Sequence, residues 1–149
     1  MDAGRVEAIN IGPPKQLPSA VERAAAHAGK GLVGNRYYFE NGAKPGRALT
    51  LIAAEALDAM AAEHGIEISA AESRRNVLTR GIDLNALVGS RFRVGEVECM
   101  GIEPCEPCSH LESMTQPGVI KGLVHRGGLN ADIVTDGEIA VGDEVVALA

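Results

Sequence analysis

Apolar residues in this chain fall in short alternating runs closed by turn residues, with one longer run at helical spacing. Arg5–Ile11 alternates and stops at Gly12-Pro13-Pro14, which predicts an early strand. Arg47–Ile52 predicts a strand leading into a helix over Ala53–His64, with Gly65 as its stop. Ile52, Ala56 and Met60 recur every four residues and should face the core. Ser19 and Glu22 fit a capping box, but the alanine-rich stretch after them ends at Gly29 and predicts no more than a connecting turn.

The second half reads almost wholly as strand. Arg74–Arg80 runs up to Gly81. Arg91–Val94 and Val97–Cys99 flank Gly95-Glu96 and predict a hairpin with Phe92, Val94, Val97 and Cys99 inward. Lys121–Arg126 predicts a strand before a Gly127-Gly128 turn. Leu129–Thr135 and Glu138–Val141 predict a second hairpin around Asp136-Gly137, and Glu144–Leu148 a last strand. The expectation is a mainly β fold with a few helices (α+β), a largely antiparallel barrel in one domain over 1–149, its core about 5–148.

Composition narrows the setting. With 149 residues, 46% of them hydrophobic, the chain can fill one ordinary core. Its 14 basic and 20 acidic residues leave a net charge of −6 and few aromatics, which argues against a nucleic-acid partner. No apolar run reaches the roughly 18 residues of a membrane span, and charges stand where a signal peptide would be apolar. A cytoplasmic, reducing setting with no membrane partner is expected.

The candidate chemistry lies in Pro104-Cys105-Glu106-Pro107-Cys108. Ser109 and Glu112 fit a capping box, which would put Cys108 just before a helix and favour its anion through free amides and the helix dipole. Other uses of this pair remain open. Structural zinc needs a second close-spaced ligand pair, and Cys99, His110, His125, His27 and His64 do not form one. A thioredoxin-type dithiol needs a βαβ setting, and none is readable. A stabilising disulfide fits poorly with three cysteines. Cys99 itself reads as a small core residue.

Taken in chain order, several segments together resemble the MOSC domain, the molybdenum-cofactor sulfurase C-terminal domain, expected here to stand alone. They are Gly31–Arg36, the Leu49–Ala62 strand and helix, Arg74–Val77, Gly81–Leu84, Val88–Phe92, Pro104–Cys108, His125–Leu129 and Val141–Val145. The resemblance implies a β-barrel that binds a molybdenum–pterin cofactor, with one cysteine as metal ligand or sulfur carrier. By motif position that cysteine is Cys108, and a soft thiolate suits such a centre. The resemblance further points to Arg36, Arg75, Asn76, His125, Arg126, Gly127 and Gly128 as cofactor-binding, and it carries pyridoxal phosphate binding as a family association.

Two functions follow from that resemblance. One is an oxidoreductase that reduces an N-hydroxylated or related small-molecule substrate, with Cys108 on the metal and electrons from a separate protein. The other is a non-catalytic carrier that takes sulfur or cofactor on a Cys108 persulfide from a sulfur-donor protein. Where the family tends to show Gly-Asp-Arg, this chain has Gly34-Asn35-Arg36; a turn cap would tolerate Asn, whereas a carboxylate acting on Arg36 or substrate would be missed. Each candidate also has an ordinary structural use. Arg74-Arg75 could be a solvated edge pair, Asn76 a satisfied core amide, His125 a turn residue and Gly127-Gly128 a plain turn. The functional reading requires Cys108, Arg75, Asn76 and the His125–Gly128 turn to share one concavity, with an accessible thiol on a loop less firmly packed than the strands.

Overall fold

A computed structural model describes residues 3–13 and 16–148. Eleven strands and three helices follow one another as β1 (Ala3–Ile11), β2 (Ser19–Val21), β3 (Arg23–His27), β4 (Gly31–Leu32), β5 (Leu49–Ala53), α1 (Ala54–His64), β6 (Val77–Arg80), β7 (Arg91–Val94), β8 (Val97–Pro104), α2 (Ser109–Met114), α3 (Val119–Leu123), β9 (Leu129–Ile133), β10 (Gly137–Ala140) and β11 (Glu144–Ala147), with a 3-10 turn at Leu84–Leu87. Strands β11, β7, β8, β9, β5, β6 and β1 pair in that order, and β11 pairs back to β1, so the sheet closes into a seven-stranded barrel. Only β5 and β6 among these neighbours run parallel, and α1 makes the crossover between them. A separate three-stranded sheet, β10-β3-β4, packs alongside.

The alternating pattern does what it predicts. Phe92 faces Cys99 and Val94 faces Val97 across the β7–β8 hairpin, and all four are buried in the barrel interior. Ala56 and Met60 are buried on the core side of α1, Ile52 is buried near the end of β5, and Gly65 ends the helix in the left-handed conformation. These residues join Ile66, Leu111, Val119 and Leu123 in a second, smaller core that seats α2 and α3.

Four local expectations fail, each for a tertiary reason. Ser19–Val21 is strand β2 and Arg23–His27 strand β3; pairing with β1, β4 and β10 overrides the capping box and the alanines' helical preference. Lys121–Arg126 is no strand. The Glu112 carboxylate accepts from the Gly118 and Ile120 amides at the start of α3, and Val119 and Leu123 are buried four residues apart. Leu129–Thr135 and Glu138–Val141 form no hairpin, because β9 joins β5 and β8 while β10 joins β3 in the other sheet. Asp136 serves that split by accepting from the Ala28 amide at 2.7 Å. Finally, β6 begins at Val77, since Arg74 takes a left-handed φ of 61° that no strand accommodates.

Candidate functional site

The two cysteines of the Cys105–Cys108 segment follow the end of β8 and precede α2, outside the β5–α1–β6 crossover. A βαβ unit therefore does exist, against expectation, but β8 and β9 around the cysteines run antiparallel, which removes the thioredoxin setting. Ser109 is the first residue of α2 rather than its cap, and Glu112 is spent on α3, so the capping box expected there does not form. Cys108 caps the helix start with its backbone and is exposed, whereas Cys105 is half-buried. Burial pushes the Cys105 thiol up, with Arg75 pulling the other way, and full burial pushes Cys99 up to about 12. Only the thiol of Cys108 stands in the open.

Both Cys105 and Cys108 line a cleft of about 310 Å³. Its other walls come from Arg36-Tyr37, Gly46-Arg47, Arg74-Arg75, Thr50 and Asn130, with Glu103, Glu106, His110 and Leu111 around the thiols. Four arginines from three separate segments thus meet in one small cavity, and none of them makes a carboxylate ion pair among the described residues. Tyr37 braces two of them, with the Arg36 and Arg47 guanidinium carbons 4.8 and 5.6 Å from its ring centre. Arg36 donates to the Arg74 carbonyl at 3.4 Å, and Arg74 to the Gln16 carbonyl at 2.9 Å. Burial, and then the neighbouring charge of Arg36, holds the Arg74 guanidinium below the usual arginine range. Four guanidinium groups against the two carboxylates of Glu103 and Glu106 leave the lining net positive, which favours an anion.

The candidates from sequence divide. Cys108, Arg36 and Arg75 line the cleft, and the thiol is accessible as expected. Asn76 does not, because it lies buried below: its carbonyl oxygen accepts from the Thr50 amide and hydroxyl, and its amide donates to Asn10 O at 3.1 Å. His125 points outward, its side chain 86% exposed, with Nδ1 3.3 Å from Glu106. Arg126 turns to a different groove and pairs with Glu63 at 3.2 Å. Gly127 and Gly128 back the thiol loop rather than the ligand space: a Cβ on Gly127 would sit 2.4 Å from Cys105 O, and one on Gly128 2.1 Å from Leu51 O. The single concavity expected from sequence therefore forms only in part. Asn35 is a turn residue, its side-chain oxygen accepting from the Gly12 amide at 3.3 Å, so its position does not act on Arg36.

Sequence reasoning missed Arg47, Arg74 and Tyr37, whose convergence depends on loops with no periodic signal. It also missed the anchors of the thiol loop. The Cys105 amide donates to Gly128 O at 2.8 Å, Arg75 grips its carbonyl, and the Glu106 carboxylate accepts from the His125 amide at 2.8 Å. A larger groove of about 480 Å³ lies beyond Gly128, floored by Ala53, Ala56, Ala59, Ile82 and Leu84. It holds no thiol, and Glu55, Asp83 and Arg126 at its edge already bond within the chain. Both cysteines of the thiol loop and the four arginines line the smaller cleft. No group of three or more His, Cys, Asp or Glu side chains placed to hold a bare metal ion occurs among the described residues.

Residues 21–146 match the family described as the MOSC domain. No curated protein matches the chain. Among solved structures, the YuaD protein of Bacillus subtilis is similar at a TM-score of 0.82 and 17% identity, over 96% of this chain and 94% of that one. YiiM of Geobacillus stearothermophilus matches at 0.76 and 17%, over 98% and 75%. YiiM of Escherichia coli matches at 0.71 and 19%, over 97% and 70%. At these identities the likeness is one of fold, and it agrees with the barrel described above.

Proposed function

This chain belongs to the MOSC domain family, which is associated with molybdenum-cofactor binding, and on that premise we propose that its thiol cleft binds a molybdenum–pterin cofactor with Cys108 as the metal's protein ligand. One observation carries the reading: an exposed thiol opens into a cavity walled by arginines without carboxylate partners. The donor set fits the group. A metal that arrives held by its own organic ligand needs only one protein donor, and soft sulfur suits it. The absence of a three-residue metal cluster among the described residues is compatible with that and fits bare zinc poorly.

When bound, the cofactor supplies a two-electron, oxygen-accepting centre, suited to reducing an N-hydroxylated small compound with electrons from a separate protein. The chain itself supplies binding and orientation. Cys108 presents sulfur at the cleft, while Arg36, Arg47 and Arg74 offer forked donors to phosphate or another anionic group. Tyr37 keeps two of those forks in place, and Leu111 gives one wall an apolar surface.

The test is elemental and pterin analysis of protein expressed in a molybdenum-sufficient, cofactor-competent host. Molybdenum and pterin should co-purify in equal amounts and be lost in Cys108→Ser while the fold, followed by circular dichroism, is unchanged. Retention of both in Cys108→Ser would refute the ligand assignment. A persulfide on Cys108 with no metal would replace this reading with the sulfur-carrier function.

A further inference from the structure

Arg75 lines the cleft, yet contacts to four carbonyls take up all but one of its five N–H donors. Its Nε donates to Gly127 O at 2.9 Å, one terminal nitrogen to Ser73 O at 3.2 Å, and the other to Cys105 O at 3.0 Å with a longer contact to Glu106 O at 3.5 Å. The residue is 7% exposed, and no carboxylate pairs with it among the described residues. Burying a guanidinium without a counter-charge is costly, so its four carbonyl contacts must do something an apolar residue could not. What they do is geometric. Residues 73–75, the thiol loop and the Gly127 turn are remote in sequence, and one planar fork holds all three. Gly127 completes the arrangement, because any Cβ there would collide with Cys105 O and, at 2.8 Å, with Pro107.

We propose that Arg75 is the positioning residue of the thiol loop: by holding the Cys105 and Glu106 carbonyls against Gly127 it keeps Cys105 half-buried and leaves Cys108 as the one exposed thiol at the cleft. This rests on the reading of Cys108 as the functional thiol, and it takes Arg75 out of direct ligand binding, leaving that to Arg36, Arg47 and Arg74. The segment between β8 and α2 has no regular backbone ladder of its own, so outside anchors decide which thiol faces out. Lysine would keep the charge but can present neither the fork nor its span.

The three cysteines make the test internal. Native protein is treated with iodoacetamide, and labelling at each cysteine is followed by mass spectrometry. In the wild type Cys108 should label fast, Cys105 slowly, and the fully buried Cys99 only on unfolding. In Arg75→Lys the Cys105 rate should rise about tenfold or more, the scale of losing a charged hydrogen bond, with Cys99 still protected. Unchanged Cys105 and Cys108 rates with Cys99 protected would overturn the proposal. Should Arg75→Lys expose Cys99 as well, the wild-type ratio decides: comparable rates at Cys105 and Cys108 overturn it, and a wide gap supports it. Protein that holds no molybdenum or pterin would overturn the cofactor reading and leave these rates standing. Unchanged rates in cofactor-loaded protein would overturn the strap alone.

Discussion

The barrel interior holds one cysteine, on strand β8, and the thiol cleft holds two, just after that strand, and the two regions treat charge in opposite ways. Around Cys99 the walls are Phe92, Val97, Ile133 and other buried apolar side chains, and burial pushes the thiol up to about 12. Around Cys105 and Cys108 the walls are arginines, two of them buried, held by backbone carbonyls and an aromatic ring rather than by carboxylates. The interior gives the molecule its stability. The cleft keeps like charges together, which costs some of that stability. Stability and binding should therefore separate under mutation.

The largest effect is expected in the interior. Phe92→Ala leaves a cavity at a fully buried position between β11 and β8, and it should cost about 3–5 kcal/mol in urea unfolding. Variants still folded should keep their affinity for pyrophosphate. A loss below about 1 kcal/mol would mean that this part of the barrel is not close-packed.

Arg74→Met should do the reverse. Pyrophosphate affinity, measured by calorimetry at low salt, should fall by about 1.5–3 kcal/mol, the worth of hydrogen bonds to charged groups. Stability should hold or rise, because a buried charge beside Arg36 is removed. Arg23→Met, the same charge change on distant β3, should leave binding alone. Equal losses in both variants would reduce the cleft to general surface charge.

Gly127→Ala lies at the boundary between the two regions. Its Cβ must displace Cys105 O, so destabilisation of about 1–3 kcal/mol is expected together with altered labelling of the thiol loop. A stability loss with unchanged labelling would detach the turn from the cleft.

The smallest effect concerns Arg126, which faces away from the cleft. Its hydrogen bond and charge hold the exposed Glu63 carboxyl below the usual carboxylate range. Because the folded-state value is depressed, any stabilisation exists above the unfolded carboxylate range and disappears as pH falls through the folded value. Glu63→Gln should thus lose slightly in stability at neutral pH and match the wild type in acid, with anion binding unaffected at either pH. A stability difference that grows in acid would contradict the pairing.

These contrasts follow how the chain encodes its parts. Apolar periodicity is local, so the sequence alone determined the β-rich class, the β7–β8 hairpin with its inward Phe92 and Cys99, and the core face of α1. Motif order likewise pointed to Cys108 and Arg36. Only the tertiary structure decided the rest. Whether an Asp-Gly pair closes a hairpin or sends the chain to another sheet depends on partners more than a hundred residues away, as Asp136 and Ala28 show. The capping box at Ser109 failed because Glu112 was nearer to α3's free amides. Arg75, Asn76 and Arg126 carry donors that suit a ligand equally well on paper, and it was the carbonyls and carboxylates brought beside them that made two into braces and turned the third away. A donor's role is set by the acceptors folding places within reach, and no one-dimensional pattern records those distances.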